Sequence, residues 1–461
     1  SEIRNFRIFL PPAYSSTNAK RYPVIYFFHG WGQRYFGEGA EEYAGYDKGA
    51  QNKGDNIANY VAKHNVIVVK ADGYNRRGDE EYYRRPYNVL PVETYRQFPI
   101  YFPELVTYID DHYRTMADRQ HRAVSGLSMG GFMSFVLAAK YPHMVSAAGS
   151  FCGAPEFTIG PYDFPVEYKH MDMYKNLAGI NVRLHYGDKD FIRSYHHDMN
   201  TMWYQVMDNY KSKIYDAEHS TCGLGEMFDT IMNTFQHPLP IPAKWDHTEV
   251  YPEFEVWNYK VSTDRTVPGF TILENVDKRG FRSAVREYVP DGRLLQHVQV
   301  TVLTAPVYEK NREYVINDID LFTKKKSQRT VTSDGNGRIF ITVNGSIHDI
   351  GINKKNDKAE LSLVGVSVQD AAWAVHGKEV KLNIILLNKG AAAAKNVSVR
   401  VTPFRNNVMF SNNARLKTTS ITIENIAVNE IKKSSIALAF TSTIDTVGVI
   451  KFQLDITDNN K

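Results

Sequence analysis

The chain has 461 residues, too many for one ordinary hydrophobic core, so we expect two or three domains. Its hydrophobic fraction of 43% and charged fraction of 23% are typical of soluble globular proteins. The formal net charge of +4 is small for this length and, without a dense stripe of Lys and Arg, gives no indication of nucleic-acid binding. No stretch of the sequence approaches the roughly 20 apolar residues of a membrane span.

Up to about residue 245, short apolar runs typical of strands alternate with longer helical patterns. The predicted strands are residues 7–10, 24–28, 66–69, 123–125, 145–150 and 182–186. The predicted helices are residues 54–64, 100–113, 129–141 and 194–210. Short apolar strands separated by helices indicate a mostly parallel sheet covered on both faces. Residues 1–245 are therefore predicted to form an α/β domain.

After Trp245 the sequence changes to alternating apolar and polar residues. Such runs occur at residues 253–257, 298–302, 338–343, 380–386 and 397–401. Between some of them lie the residue pairs that hairpins require, such as Asp291-Gly292 and Asn344-Gly345. Long helical patterns are scarce, so we predict one or two all-β sandwich units, placed at residues 246–355 and 356–461.

The pentapeptide Gly126-Leu127-Ser128-Met129-Gly130 matches Gly-x-Ser-x-Gly, with a predicted strand before it and a predicted helix after it. A strand that turns sharply into a helix forces the serine into strained dihedral angles, and side chains larger than glycine would collide there. The turn would expose the Ser128 hydroxyl beside a helix N-terminus, where backbone N–H groups face the reacting oxygen. Ser128 is therefore the predicted nucleophile, with a tight packing turn as the alternative.

A serine nucleophile needs a base, and the base needs an orienting carboxylate. In α/β enzymes whose serine lies in such a strand-to-helix turn, the acid follows the serine in the chain and the histidine comes last. Asp188 and Asp190 both follow the strand that ends at Tyr186; we favour Asp190, because the acid usually lies a few residues past the strand end. Asp188 would then brace the turn. His219 is the predicted base, because it lies in a loop between a short predicted strand and a helical pattern.

The tetrahedral intermediate of acyl transfer needs two preorganised N–H donors. One is expected from the amide of Met129, directly after the nucleophile, and the other from the loop His29-Gly30-Trp31-Gly32. We assign the second donor to the amide of Trp31. His29 is expected to hydrogen-bond within this loop, and His196 and His197, in a predicted helix, are expected to be solvated or to pack.

The chain has two cysteines, Cys152 and Cys222. They are either two buried thiols or a disulfide, since each would follow a core strand on the catalytic side of the sheet.

Several stretches resemble the esterase D or putative esterase family of α/β-hydrolases, which includes the feruloyl and acetylxylan esterases of carbohydrate esterase family 1. The strongest match is residues 113–119 leading into 122–132, and others lie at residues 9–14, 21–26 and 104–110. The resemblance spans roughly residues 5–237 and implies an α/β-hydrolase fold in which Ser128, Asp190 and His219 form the triad. The C-terminal half resembles the Ig-like extensions of exported polysaccharide esterases. An exported enzyme whose signal segment is absent from this chain is therefore expected.

The loop after the strand at residues 66–69 is dense in Tyr and Arg and should overhang the site. Aromatic rings stack on sugars or cinnamoyl groups, and Arg pairs with carboxylates or hydroxyls. The residues assigned to substrate binding are Tyr74, Tyr83, Arg84 and Trp203. The expected reaction is hydrolysis of feruloyl or acetyl esters of plant polysaccharide through an acyl-enzyme.

Other functions stay open at this point. An acyltransferase would use the same triad with a sugar in place of water, and the family also includes S-formylglutathione hydrolases, which leaves a general esterase as another alternative. The β domains would be carbohydrate-binding or spacer modules. We expect no cofactor and no metal, since no Cys/His cluster has zinc spacing. We also expect no nucleic-acid partner, and the sequence does not define the oligomeric state.

Overall fold

The computed structural model describes residues 4–14, 19–35, 57–74, 86–87, 92–368, 380–403, 419–438 and 452–459. The chain divides into two compact units. The first unit is Ser1–Leu273 with Val285–Thr301, and the second unit is Glu274–Ala284 with Val302–Lys461. The three-domain division with boundaries at residues 245 and 355 stays a prediction. Within the described residues, no helix is both long and apolar enough to cross a bilayer.

A seven-stranded sheet forms the centre of the first unit. The first nine described strands are β1 (Phe6–Phe9), β2 (Val24–Phe28), β3 (Ile67–Ala71), β4 (Arg122–Leu127), β5 (Ala147–Phe151), β6 (Glu156–Ile159), β7 (Val166–Lys169), β8 (Asn181–Gly187) and β9 (Tyr210–Tyr215). The order in the sheet is β1-β3-β2-β4-β5-β8-β9. β1 is antiparallel to β3, and the other neighbouring pairs are parallel. This mixed sheet is that of an α/β-hydrolase-like fold, as the sequence predicted.

The strands at the middle of this sheet are buried along their whole length. Every residue of β2, β3, β4 and β5 is inaccessible or nearly so. Continuous burial is expected of strands that are covered on both faces, and it explains why these segments are mostly apolar in sequence. All six predicted strands are present, with ends within two residues of those expected. The short antiparallel hairpin of β6 and β7 was not predicted.

The described residues of the first unit include five α-helices: α1 (Ile57–Val61), α2 (Phe98–His112), α3 (Met129–Lys140), α4 (Arg193–Val206) and α5 (Leu224–Gln236). α3 is buried at every position and packs against β4 and β5. α4 is amphipathic and buries His196, Met199 and Trp203 on one face. It ends four residues before the predicted end at residue 210, because Tyr210–Tyr215 pairs with β8 as strand β9.

Residues 246–273 and 285–301 continue the first unit. The next strands are β10 (Trp245–Glu249), β11 (Glu253–Val256), β12 (Tyr259–Thr263), β13 (Phe270–Asp277), β14 (Gly280–Arg286) and β15 (Gln299–Leu303). Glu274–Ala284, which includes the end of β13 and most of β14, belongs to the second unit. Lys140 at the end of α3 forms a buried ion pair with Glu249 of β10, with 2.7 Å between Nζ and Oε2. β11 and β12 form a hairpin whose two turn residues, Trp257 and Asn258, have φ values of 49° and 65°. The sequence had placed Trp257 inside a strand.

The second unit consists of antiparallel strands. They are β16 (Glu313–Asp320), β17 (Lys326–Thr332), β18 (Phe340–Asn344), β19 (His348–Asn353), β20 (Leu361–Val368), β21 (Val380–Asn388), β22 (Ala394–Pro403), β23 (Thr419–Ile426), β24 (Ile431–Leu438) and β25 (Phe452–Thr457). β14, β19, β16 and β17 are neighbours in that order. Two three-stranded sheets, β20-β21-β24 and β23-β22-β25, enclose a shared apolar core. The core residues include Leu382, Ile384, Val397 and Val399, whose alternation produced the pattern seen in the sequence.

Candidate active site

Ser128 lies in the sharp turn between β4 and α3. Its φ of 56° and ψ of −115° are strained for a residue with a side chain. A Cβ added to Gly126 would lie 2.5 Å from the carbonyl oxygen of Gly130, and one added to Gly130 would lie 2.1 Å from that of Phe28. The two glycines are therefore required sterically, and the turn has the geometry of a nucleophile elbow.

The backbone of this turn is fixed to the end of β5. The N–H of Ser128 donates to the carbonyl oxygen of Phe151 at 2.8 Å, and the N–H of Ala154 donates to that of Ser128 at 3.3 Å. Ser128 is partly exposed. These contacts place Ser128 at the carboxyl edge of the parallel strands, where loops after β5, β8 and β9 also gather.

Asp190 and His219 form a hydrogen-bonded pair at the same edge. Nδ1 of His219 lies 2.9 Å from Oδ1 of Asp190, whose side chain is fully buried, while the His219 side chain is 20% exposed. Oδ1 also accepts a hydrogen bond from the N–H of Ile192 at 3.0 Å. Asp188 is exposed and accepts from the N–H of Ala217 at 3.3 Å. The structure thus pairs the histidine with Asp190, and Asp188 braces the turn.

The Asp190 carboxyl group is held in its ionised form. Burial alone would raise its pKa, but the contacts with His196 and His219 and the N–H of Ile192 outweigh burial and bring the pKa far below the usual value. A carboxylate that stays charged can orient His219 and stabilise an imidazolium during proton transfer.

His185 supports the loop that carries His219. Nε of Arg183 donates to Nε2 of His185 at 2.7 Å, so the ring proton lies on Nδ1. Nδ1 in turn donates to the carbonyl oxygen of Cys222 at 3.0 Å. Burial, followed by the positive charge of Arg183, lowers the pKa of His185 to about 4, so the ring stays neutral near pH 7.

The loop with the second expected oxyanion donor is held from several sides. His29 is fully buried; Nδ1 contacts the carbonyl oxygen of Gly30 at 2.8 Å, and Nε2 accepts from the N–H of Gly73 at 2.9 Å. The N–H of Gly30 donates to Oε1 of Gln33 at 2.6 Å. His29 thus has the structural role expected from the sequence. Because both ring nitrogens of His29 are engaged in these hydrogen bonds, His29 is not available as a base.

The two proposed oxyanion amides occupy suitable places in the chain. Met129 is the first residue of α3, and the first N–H groups of a helix have no acceptor within the helix. The Trp31 side chain is 56% exposed, and the ideal Cβ of its neighbour Gly30 would lie 3.4 Å from the Cβ of Ser128. The loop that carries Trp31 therefore runs beside Ser128.

The structure does not bring all the assigned substrate-binding residues to the site. Tyr74 is 5% exposed and its hydroxyl accepts from the N–H of Gly32 at 2.9 Å, so it braces the loop that carries Trp31. Trp203 is fully buried in the core, where its ring packs against Phe135 and Tyr210. We correct both assignments, because neither ring is available to a substrate. Tyr83 and Arg84 lie outside the described residues.

One exposed aromatic residue lies against His219. Phe191 follows Asp190, is 74% exposed, and has its ring centroid 4.5 Å from that of His219. The sequence analysis missed it, although its position next to the predicted acid was a usable signal. It also missed His185 and the contact of His196 with Asp190.

Both cysteines are buried free thiols, and one lies beside the acid–base pair. Among the described residues, Cys152, Asp190 and His219 place potential metal-ligand atoms within 4.8 Å of one another. The contact with Cys222 and burial raise the pKa of the Cys152 thiol well above its usual value. Cys152 is therefore a neutral thiol beside the His219–Asp190 pair.

Comparison with known proteins finds similarity to esterases in the first half of the chain. Residues 2–222 match the family model described as "Putative esterase". An esterase of Mycobacterium tuberculosis is 31% identical over 147 residues, which are 32% of this chain and 28% of the relative. A protein of Xylanibacter ruminicola named endo-1,4-beta-xylanase/feruloyl esterase is 27% identical over 188 residues, 39% of this chain and 24% of the relative. The chain thus spans about a quarter of the length of these relatives.

Solved structures with similar folds include a ferulic acid esterase, 19% identical, with a TM-score of 0.39 and coverage of 50% of this chain and 92% of that one. Another is a ferulic acid esterase of Anaeromyces mucronatus, 20% identical, with a TM-score of 0.34 and coverage of 51% and 85%. Because these TM-scores are low, we assign the fold from the strand order of the sheet and from the turn at Ser128. Those features agree with the match of residues 2–222 to the family model described as "Putative esterase".

Proposed function

We propose that the chain is a carboxylic ester hydrolase with Ser128 as nucleophile, His219 as base and Asp190 as the orienting acid. The observation that carries the proposal is the 2.9 Å contact between His219 Nδ1 and a fully buried Asp190, at the same sheet edge as the strained Ser128 turn. Because Nδ1–H is held by Asp190, the lone pair of the imidazole lies on Nε2. That nitrogen is the one available to accept the Ser128 proton.

The reaction is a two-step acyl transfer. Ser128 Oγ attacks the ester carbonyl while His219 Nε2 takes the hydroxyl proton, and the amides of Met129 and Trp31 donate to the oxyanion. His219 then gives its proton to the departing alcohol, and the acyl group stays on Ser128. Water, deprotonated by His219, attacks the acyl-enzyme and releases the acid.

The preferred substrate is an ester with an aromatic acyl group, such as a feruloyl ester of plant polysaccharide, and an acetyl ester is the other candidate. The exposed rings of Phe191 and Trp31 support this choice, because they offer flat apolar surface beside the histidine and the oxyanion loop. The feruloyl esterase name of one relative points the same way. We further propose an exported enzyme whose C-terminal sandwich is Ig-like and serves as a carbohydrate-binding or spacer module.

A fluorophosphonate probe tests the nucleophile directly, since such probes react with activated serines. Incubation of the intact protein followed by proteolysis and mass spectrometry should find the adduct on the peptide that contains Ser128. His219→Asn should prevent labelling, because the serine loses its base. Labelling at another serine, or undiminished labelling of His219→Asn, would contradict the proposal.

A further inference from the structure

His196 lies against the side of Asp190 that His219 does not use. It belongs to the buried face of α4, together with Met199 and Trp203, where an apolar residue is the ordinary choice. Its ring is fully buried and packs against Tyr186, with 4.9 Å between ring centroids. A histidine is therefore placed in the core at the turn of α4 that faces the catalytic acid.

The two carboxylate oxygens of Asp190 have unequal partners. Oδ1 accepts from His219 Nδ1 and from the N–H of Ile192. Oδ2 is fully buried and has no formed hydrogen bond among the described residues, and Nε2 of His196 lies 3.4 Å from it. Both ring nitrogens of His196 likewise have no formed hydrogen bond within the described part of the chain. A buried charged oxygen without a donor is costly, so the two unsatisfied groups are complementary.

We propose that His196 is a positioning residue, which donates from Nε2–H to Oδ2 and keeps Oδ1 of Asp190 aligned with His219. This inference rests on the proposed function. A carboxylate held at one oxygen can rotate about its Cβ–Cγ bond, whereas contacts at both oxygens fix its plane. Hydrogen bonds in catalytic sites are often long without substrate and shorten in the reacting complex, which fits the 3.4 Å separation.

Cys152 is the other side chain beside Asp190, and it is less suited to this role. Its thiol contacts the carbonyl oxygen of Ser220 at 3.4 Å, so that oxygen is an acceptor for the thiol proton. A thiol is also a weak donor compared with an imidazole N–H. His196 is thus the better donor to Oδ2.

The test compares His196→Leu, which fills the buried space without a donor, with His196→Gln, whose amide nitrogen reaches the position of Nε2. His196→Leu should lower kcat for an aryl ester about 10- to 100-fold, because the acid–base pair loses its alignment. KM should change less than about threefold, because His196 does not touch substrate. His196→Gln should recover most of kcat, and His197→Gln on the exposed face of α4 should match the wild type. Thermal unfolding confirms that each variant is folded.

Two kinetic results would overturn the inference: a folded His196→Leu with wild-type kcat, or equal losses in the Leu and Gln variants, which would mean that packing alone matters. If neither variant folds, the ring nitrogen shifts of ¹⁵N-histidine-labelled wild-type protein decide. A proton on Nε2 of His196 supports the inference, and a proton on Nδ1 alone contradicts it. Failure of fluorophosphonate labelling at Ser128 would instead reject the proposed function, so the two failures are distinguishable.

Discussion

Among the aromatic residues near the site, burial decides which can meet a substrate. Trp203 lies four residues after Met199 on α4 and shares its buried face, so helical periodicity could have identified it as a core residue. Tyr74 lies in a loop, where no periodicity indicates direction, and its burial follows from its bond to Gly32. Phe191 is exposed because the turn after β8 directs Asp190 inward and leaves the next side chain facing outward.

Phe191→Ala should therefore affect esters with aromatic acyl groups most. We expect kcat/KM for methyl ferulate to fall about tenfold, the effect of losing an aromatic contact worth roughly 1.4 kcal/mol. The value for an aryl acetate should change less than about threefold, because its small acyl group makes little contact. Tyr195→Ala is the matched control, since Tyr195 is also exposed but lies on α4. Equal losses for both substrates would argue against an aromatic acyl site at Phe191.

At the scale of elements, the turn from β4 into α3 is the part most tightly specified by sequence. The backbone packs so closely around its glycines that an added Cβ would clash. At Gly130 the added Cβ would lie 2.1 Å from the carbonyl oxygen of Phe28. By contrast, Gly225 in the first turn of α5 has open space within 4 Å of an added Cβ. The two positions therefore make a matched pair for the same substitution.

Gly130→Ala should reduce esterase activity by at least about 100-fold or prevent folding, because the clash shifts the serine and the oxyanion amide. Gly225→Ala should keep full activity and raise the free energy of unfolding by up to about 1 kcal/mol through helix propensity. Ester hydrolysis and urea unfolding measure both effects. An active, stable Gly130→Ala would show that the turn tolerates a side chain and would contradict the steric argument.

The strands of the sheet were predictable because buried parallel strands are mostly apolar. The pairing of His219 with Asp190 was predictable because the loops after such strands converge at one edge. The β6–β7 hairpin was not, since its strands are short and half-exposed. The contact between His196 and Asp190 depends on how α4 packs on β8, which sequence spacing alone does not define. The same holds for the bond from His185 to the carbonyl oxygen of Cys222.

At the scale of the whole molecule, the first unit is expected to lose stability in acid. Burial lowers the pKa of His170 to about 3, and burial and Arg183 lower that of His185 to about 4. Below the unfolded pKa of about 6.5 the unfolded chain binds protons that the folded unit does not. Well above this pKa, these two histidines therefore add no pH dependence to the free energy of unfolding. That free energy decreases as the pH falls towards 4, by up to about 1.4 kcal/mol per pH unit for each histidine.

Urea unfolding of the protein at pH 7, 6 and 5 measures this dependence. His170 packs among Phe132, Phe135 and Tyr168. His170→Leu should reduce the slope of the free energy of unfolding against pH by the contribution of about one proton, whatever its effect on stability at pH 7. The exposed His197→Gln should leave the slope unchanged. Identical slopes in wild type and His170→Leu would mean that His170 is not neutral in the folded protein.

The central claim is that this chain hydrolyses esters through Ser128. The most direct measurement is release of acid from an aryl acetate and from methyl ferulate by wild type, Ser128→Ala and Ser327→Ala, the last an exposed serine of β17. Ser128→Ala should lose at least about 1000-fold in kcat while it unfolds at the wild-type temperature, and Ser327→Ala should match the wild type. A folded Ser128→Ala that hydrolyses either ester at the wild-type rate would contradict the account.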